Sequence, residues 1–166
     1  MQACPAHTAP DLANNRSQCV SALCLQCPQG GYCLSLGDFT QCDAGTYSAA
    51  LGSFSASTCT PCPAGTYSTA LGLIANCSTC SAGTVSTTPG ATTPGVCLPC
   101  APGTYATAPT TCLDCSTGLY STSSGLASPA GCVGCALGSY TLSTIGASAC
   151  VPCASGKYQV RAAPFS

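Results

Sequence analysis

Apolar positions along this chain never gather into long runs. A single large apolar or aromatic residue stands among Ser, Thr, Ala, Gly and Pro, then recurs one unit later. That pattern is neither the 3.6-residue period of an amphipathic helix nor a sustained alternation. Gly-Thr-Tyr-Ser tetrapeptides favour a short extended segment, and the Ser/Thr/Pro/Gly stretches between them break both periods. The pattern predicts strands of about two to four residues paired as small hairpins, much coil and no α-helix of note. No stretch approaches the ~18 consecutive apolar residues that mark a membrane span, so none is expected. Leu/Glu/Lys heptads are absent, which excludes a coiled coil.

The recurrence is a tandem repeat. Units begin at Cys42, Cys62, Cys80, Cys100, Cys115, Cys135 and Cys153, with periods of 20, 18, 20, 15, 20 and 18 residues. Each reads Cys-x-x-Gly-x-Tyr, then a Ser/Thr/Ala/Gly loop, a closing cysteine and two spacer residues. The expected organisation is an irregular cysteine-rich segment over residues 1–41, six repeats over 42–152 and an incomplete seventh over 153–166. Because the seventh lacks a closing cysteine, and because residues 1–20 lack a basic start followed by an apolar run, the expectation is a mature chain or a piece of a longer one.

All seven tyrosines occupy one place in the motif. Tyr47, Tyr67, Tyr105, Tyr120, Tyr140 and Tyr158 sit five residues after their cysteine, Tyr32 does so after Cys27, and Val85 takes the position in the third unit. A ring packed on the neighbouring disulfide is the expected structural role, since so short a unit owns no other large apolar group. The glycine three residues after each cysteine reads as a turn position requiring positive φ or close backbone approach.

Composition changes the picture at three points. First, 18 cysteines in 166 residues place the chain among disulfide scaffolds of oxidising, extracellular compartments. Such small units cannot build a core, so staples and neighbour contacts must stabilise an array expected to form an elongated rod. Second, a net charge of −1 with three basic residues leaves nothing to neutralise phosphates, so nucleic acid is not an expected partner. So little charge means the chain is kept dispersed by attached glycans or packs into a polymer. Third, catalytic groups are scarce: one His (His7), four Asp (Asp11, Asp38, Asp43, Asp114), no Glu and one Lys (Lys157). They form no metal-loop spacing and no acid–nucleophile set, so neither an enzyme nor a cofactor is expected.

Three cysteine registers compete. Each unit can close its own loop, as Cys42–Cys59, Cys62–Cys77, Cys80–Cys97, Cys100–Cys112, Cys115–Cys132 and Cys135–Cys150. Alternatively the Cys-x-x-Cys pairs close on themselves, a strained ring suited to exchange that lacks its usual fold here. In the third, Cys59-x2-Cys62-x14-Cys77-x2-Cys80 approximates a four-cysteine zinc spacing, but such a site carries charge −2 and this chain has almost no Lys or Arg to offset it. The first register is preferred. It leaves Cys4, Cys19, Cys24, Cys27 and Cys33 at one end and Cys153 at the other. One N-terminal cysteine and Cys153 then pair either between subunits or with cysteines elsewhere in a longer chain.

Hydroxyl residues make up about a quarter of the chain. Two N-glycosylation sequons begin at Asn15 and Asn76. Candidate O-glycan loops hold Thr87 and Thr88, Thr92 and Thr93, Thr110 and Thr111, and Ser121, Thr122, Ser123 and Ser124, where neighbouring proline keeps several of them extended.

The heptapeptide CPAGTYS (Cys62 to Ser68) and its variants resemble the ephrin-receptor-like cysteine-rich repeat, itself similar to the first sub-module of tumour-necrosis-factor-receptor cysteine-rich domains. CPQGGYCLSLGDFTQCDAGTYS, from Cys27 through Ser48, is similar to the doubled form of that repeat in large protist and algal surface proteins. The resemblance spans about residues 24–158 and implies the loop-closing register. It is specific for fold and weak for function, since such repeats serve receptors, matrices and coats alike. The uncharged, hydroxyl-rich surface is similar to that of mastigoneme-type flagellar hair proteins. The expectation is a structural extracellular repeat glycoprotein of a filament, hair, sheath or surface coat. The alternative is a receptor or adhesin ectodomain binding ligand through residues 1–41.

Overall fold

The computed structural model describes residues 26–35 and 38–158. Cys4, Cys19, Cys24 and Asn15 lie outside the described residues. No described residue is in an α-helix. The described residues form seven antiparallel two-stranded hairpins in chain order.

The hairpins divide between two compact units. The first takes the described residues up to Thr79 together with Thr88–Pro94. It contains β1 (Gly31–Cys33) paired with β2 (Phe39–Gln41), β3 (Thr46–Tyr47) with β4 (Thr60–Pro61), and β5 (Thr66–Tyr67) with β6 (Ser78–Thr79). The second takes Cys80–Thr87 and the described residues from Gly95 on. It contains β7 (Thr84–Val85) with β8 (Leu98–Pro99), and β9 (Thr104–Ala108) with β10 (Thr111–Asp114). The same unit holds β11 (Leu119–Tyr120) with β12 (Val133–Gly134) and β13 (Ser139–Thr141) with β14 (Cys150–Pro152).

Each hairpin has one cause. The Cys-x-x-Gly start folds into a tight turn: in Asp43–Thr46 the third residue, Gly45, has φ +80, the signature of a type II turn. The Asp43 carbonyl accepts from both the backbone N–H (3.1 Å) and the hydroxyl (2.7 Å) of Thr46. The same double bond recurs at Thr66, Thr84 and Thr104, which explains threonine after the glycine. The two residues after the turn then pair with the two spacers that follow the closing cysteine, Thr46 opposite Pro61 and Tyr47 opposite Thr60.

Disulfides close the loops that the hairpins leave open. They join Cys42–Cys59, Cys62–Cys77, Cys80–Cys97, Cys100–Cys112, Cys115–Cys132 and Cys135–Cys150, the self-closing register of the sequence. A seventh joins Cys27 to Cys33. Cys59, Cys62, Cys77 and Cys80, the tetrad with zinc-like spacing, therefore belong to three separate bridges. Where the bridged cysteines are 17 residues apart, a 3-10 turn leads into the closing cysteine, at Ala56–Thr58, Pro94–Val96 and Pro129–Gly131.

Candidate functional site: the repeat ladder and its exposed hydroxyl loops

Hairpins this small cannot stand alone, so the contacts between successive repeats are the feature with most to explain. Those contacts are backbone to backbone and follow one rule. In the first unit, the turn glycine of one repeat donates to the carbonyl of the residue after tyrosine in the next: Gly30 to Ser48 (2.8 Å) and Gly45 to Ser68 (2.9 Å). Those serines donate onward to the following loop, Ser48 to Leu73 (2.9 Å) and Ser68 to Ala91 (3.0 Å). Returning bonds run from loop glycines to the preceding opening cysteines, Gly72 to Cys42 and Gly90 to Cys62, both 2.8 Å.

The second unit repeats the scheme. Gly103 donates to Ser121 (2.8 Å), Ala106 to Leu126 (2.9 Å), Ser121 to Ala147 (3.1 Å), and Gly125 and Gly146 donate back to Cys100 (2.7 Å) and Cys115 (3.0 Å). Four tyrosines thereby gain a parallel bridge to the next loop: Tyr47 with Leu73, Tyr67 with Ala91, Tyr105 with Leu126 and Tyr120 with Ala147. In these four short strands the loop of the next repeat covers an edge that the hairpin leaves free.

Glycine pairs bring the backbones still closer. A Cβ added at Gly45 would overlap the carbonyl oxygen of Gly90, and one at Gly103 would overlap that of Gly146. In each case the partner lies two repeats ahead, so a repeat touches more than its immediate neighbour within its unit.

The stacking encloses small groups rather than rings. The fully enclosed side chains are the opening cysteines Cys42, Cys62, Cys100 and Cys115, joined by the buried Ser48, Ser68, Ser121 and Ala106 after a tyrosine and Ser86 after Val85. Tyr32, Tyr47, Tyr67, Tyr105 and Tyr120 are half-buried, Tyr140 is exposed, and Tyr158 is 82 % exposed. The reason is strand alternation. With backbones this close only a small side chain fits inward, and the ring on the other side of the strand stays half-buried or exposed. The core is sulfur and small groups.

Small inward polar groups need partners, and they have them. Ser48 Oγ lies 3.0 Å from Thr58 Oγ1, and Ser68 Oγ accepts from the Ala70 N–H at 3.2 Å. No buried side-chain oxygen or nitrogen is unsatisfied among the described residues.

The remaining hydroxyls face outward. Thr87, Thr88, Thr92 and Thr93 are exposed on either side of Gly90 and the buried Ala91, which anchor their loop. Thr110, Thr111, Thr122, Ser123 and Ser124 are exposed as well, and so is Asn76. Ser121 must be removed from the O-glycan candidates. It is 4 % exposed, its backbone bridges two neighbours, and its Oγ accepts from the Ser123 N–H at 3.2 Å.

Charge plays little part in this surface. The charged side chains among the described residues are Asp38, Asp43, Asp114 and Lys157, all exposed. Cys153 is half-buried and outside any disulfide among the described residues.

The loop glycines escaped the sequence reading. A signal existed: Gly52, Gly72, Gly90 and Gly125 each fall ten residues after their opening cysteine, at 42, 62, 80 and 115. Their function as stacking contacts could not be read from that spacing.

No family model matches the chain, and no curated protein matches it. Its geometry is that of a cysteine-rich repeat protein, built of disulfide-closed hairpins of the kind oxidising compartments sustain, and no helix among the described residues is long and apolar enough to cross a membrane.

Proposed function

We propose that the chain is a structural extracellular glycoprotein, a protomer or segment of a filament, flagellar hair, sheath or surface coat, without catalytic activity. The observation that carries this reading is the backbone ladder in each unit, in which hydrogen bonds join successive repeats and disulfides close their loops. A scaffold whose repeats join mainly through main-chain bonds constrains only the recurring glycine, cysteine and small-residue positions and suits a repetitive structural element. The nearly uncharged, hydroxyl-rich exterior fits self-association, glycan attachment or both. The likeness to ephrin-receptor-like repeats agrees with an extracellular setting and does not choose among its roles.

The ligand-binding alternative rests on residues 1–41, most of which lie outside the described residues. Electron microscopy of native material tests the proposal. Regular fibres are expected, and monodisperse single particles at all concentrations would overturn the polymer reading.

A further inference from the structure

Asn76 stands where the repeats with a shorter loop differ from those with a longer one. In the repeats opening at Cys42, Cys80 and Cys115 the cysteines are 17 residues apart, and a 3-10 turn leaves the residue before the closing cysteine (Thr58, Val96 or Gly131) half-buried. The repeats opening at Cys62 and Cys135 have a separation of 15 and no such turn, and the equivalent residues, Asn76 and Ala149, are exposed; Asn76 alone of the two is part of a sequon. The other two members of the sequon are fixed. Cys77 is buried and bonded to the fully enclosed Cys62. Ser78 is in β6, in register opposite Tyr67.

We infer that Asn76 is an N-glycan acceptor whose occupancy is set by competition with closure of the Cys62–Cys77 disulfide. This rests on the extracellular reading above. In the transfer, the Asn76 amide nitrogen bonds to the anomeric carbon of an oligosaccharide carried on a lipid diphosphate. The anomeric carbon–oxygen bond breaks, the diphosphate leaves with the electron pair, and one amide proton is lost. The enzyme must enclose Asn76, Cys77 and Ser78 together in an open chain. In the competing step the Cys62 and Cys77 thiols pass two electrons and two protons to an oxidised disulfide of the secretory pathway. Once that bond forms, Cys77 is drawn inward and Ser78 is held by the hairpin, so the triplet no longer fits a transferase. A sugar attached beforehand is tolerated, because the Asn76 side chain faces solvent in the folded repeat.

The full chain is expressed through a eukaryotic secretory pathway, and site occupancy is read by glycosidase treatment in heavy-oxygen water and peptide mass spectrometry. Secreted and cell-retained material are pooled, so a folding defect does not hide the result. Partial occupancy is expected at Asn76, rising several-fold in Cys62→Ser. Cys77→Ser, which keeps an Asn-x-Ser triplet, should rise similarly. Equal occupancy of Asn76 in the wild type and both variants would overturn the inference. So would an empty Asn76 in all three while Asn15 is occupied, with the extracellular reading intact. Vacancy at both asparagines in every form would overturn the inference and count against the glycoprotein reading itself.

Discussion

Gly103 and Gly118 separate the repeat ladder from simple turn preference. Both have positive φ, +83 and +78, at equivalent places in successive hairpins of the second unit. A Cβ at Gly118 meets nothing within 4 Å, whereas one at Gly103 runs into the carbonyl of Gly146. Gly118→Ala therefore carries only the left-handed backbone penalty, partly offset by the stiffer unfolded chain, and should cost about 1 kcal/mol. Gly103→Ala must in addition push two backbones apart. That weakens the bonds from Gly103 to Ser121 and from Gly146 to Cys115, at about 1 kcal/mol each, and disturbs the enclosed cysteines. A total of about 4 kcal/mol follows, so the difference between the variants is about 3 kcal/mol. Hydrogen exchange with all disulfides intact reads this directly. The amides of Gly103, Ser121 and Gly146 should exchange about a hundredfold faster in Gly103→Ala than in Gly118→Ala, at 1.4 kcal/mol per tenfold. Indistinguishable exchange would mean that the glycine contact between alternate repeats does not stabilise the fold.

Replacing both Cys100 and Cys112 with serine opens a loop of sequence separation 12 and should cost about 3 kcal/mol, seen as selective proteolysis between those positions. Ser68→Ala should cost less than about 1 kcal/mol, because Ala106 occupies the equivalent buried position, whereas Ser68→Leu should overpack the ladder by about 1–3 kcal/mol; denaturant unfolding compares the two. Intact-mass measurement of native material should exceed the 16.2 kDa of the polypeptide in steps of sugar residues, and a mass equal to the polypeptide would remove the glycan part of the proposal.

The sequence by itself determined the hairpin. Cys-x-x-Gly-x-Tyr contains the whole type II turn, its glycine, the threonine hydroxyl at Thr46 that seals it, and the extended pair that follows. All of these are local interactions that depend only on neighbours a few residues away. Loop closure was legible for the same reason, since the opening and closing cysteines of one repeat are brought together by the hairpin between them.

Only the tertiary structure decided what lies inside. The sequence marks tyrosine as the large recurring group, yet the buried position belongs to the small residue after it, Ser48, Ser68, Ala106 or Ser121, and to Ser86 where Val85 replaces the tyrosine. That choice is made by the distance between stacked backbones, a property of two repeats that neither contains alone. The same holds for Ser121, which composition groups with exposed hydroxyls and stacking encloses, and for Gly146, whose partner Gly103 is 43 residues earlier in the chain, from 146 to 103. Local chemistry wrote the repeat; contact between repeats determined which of its atoms face water.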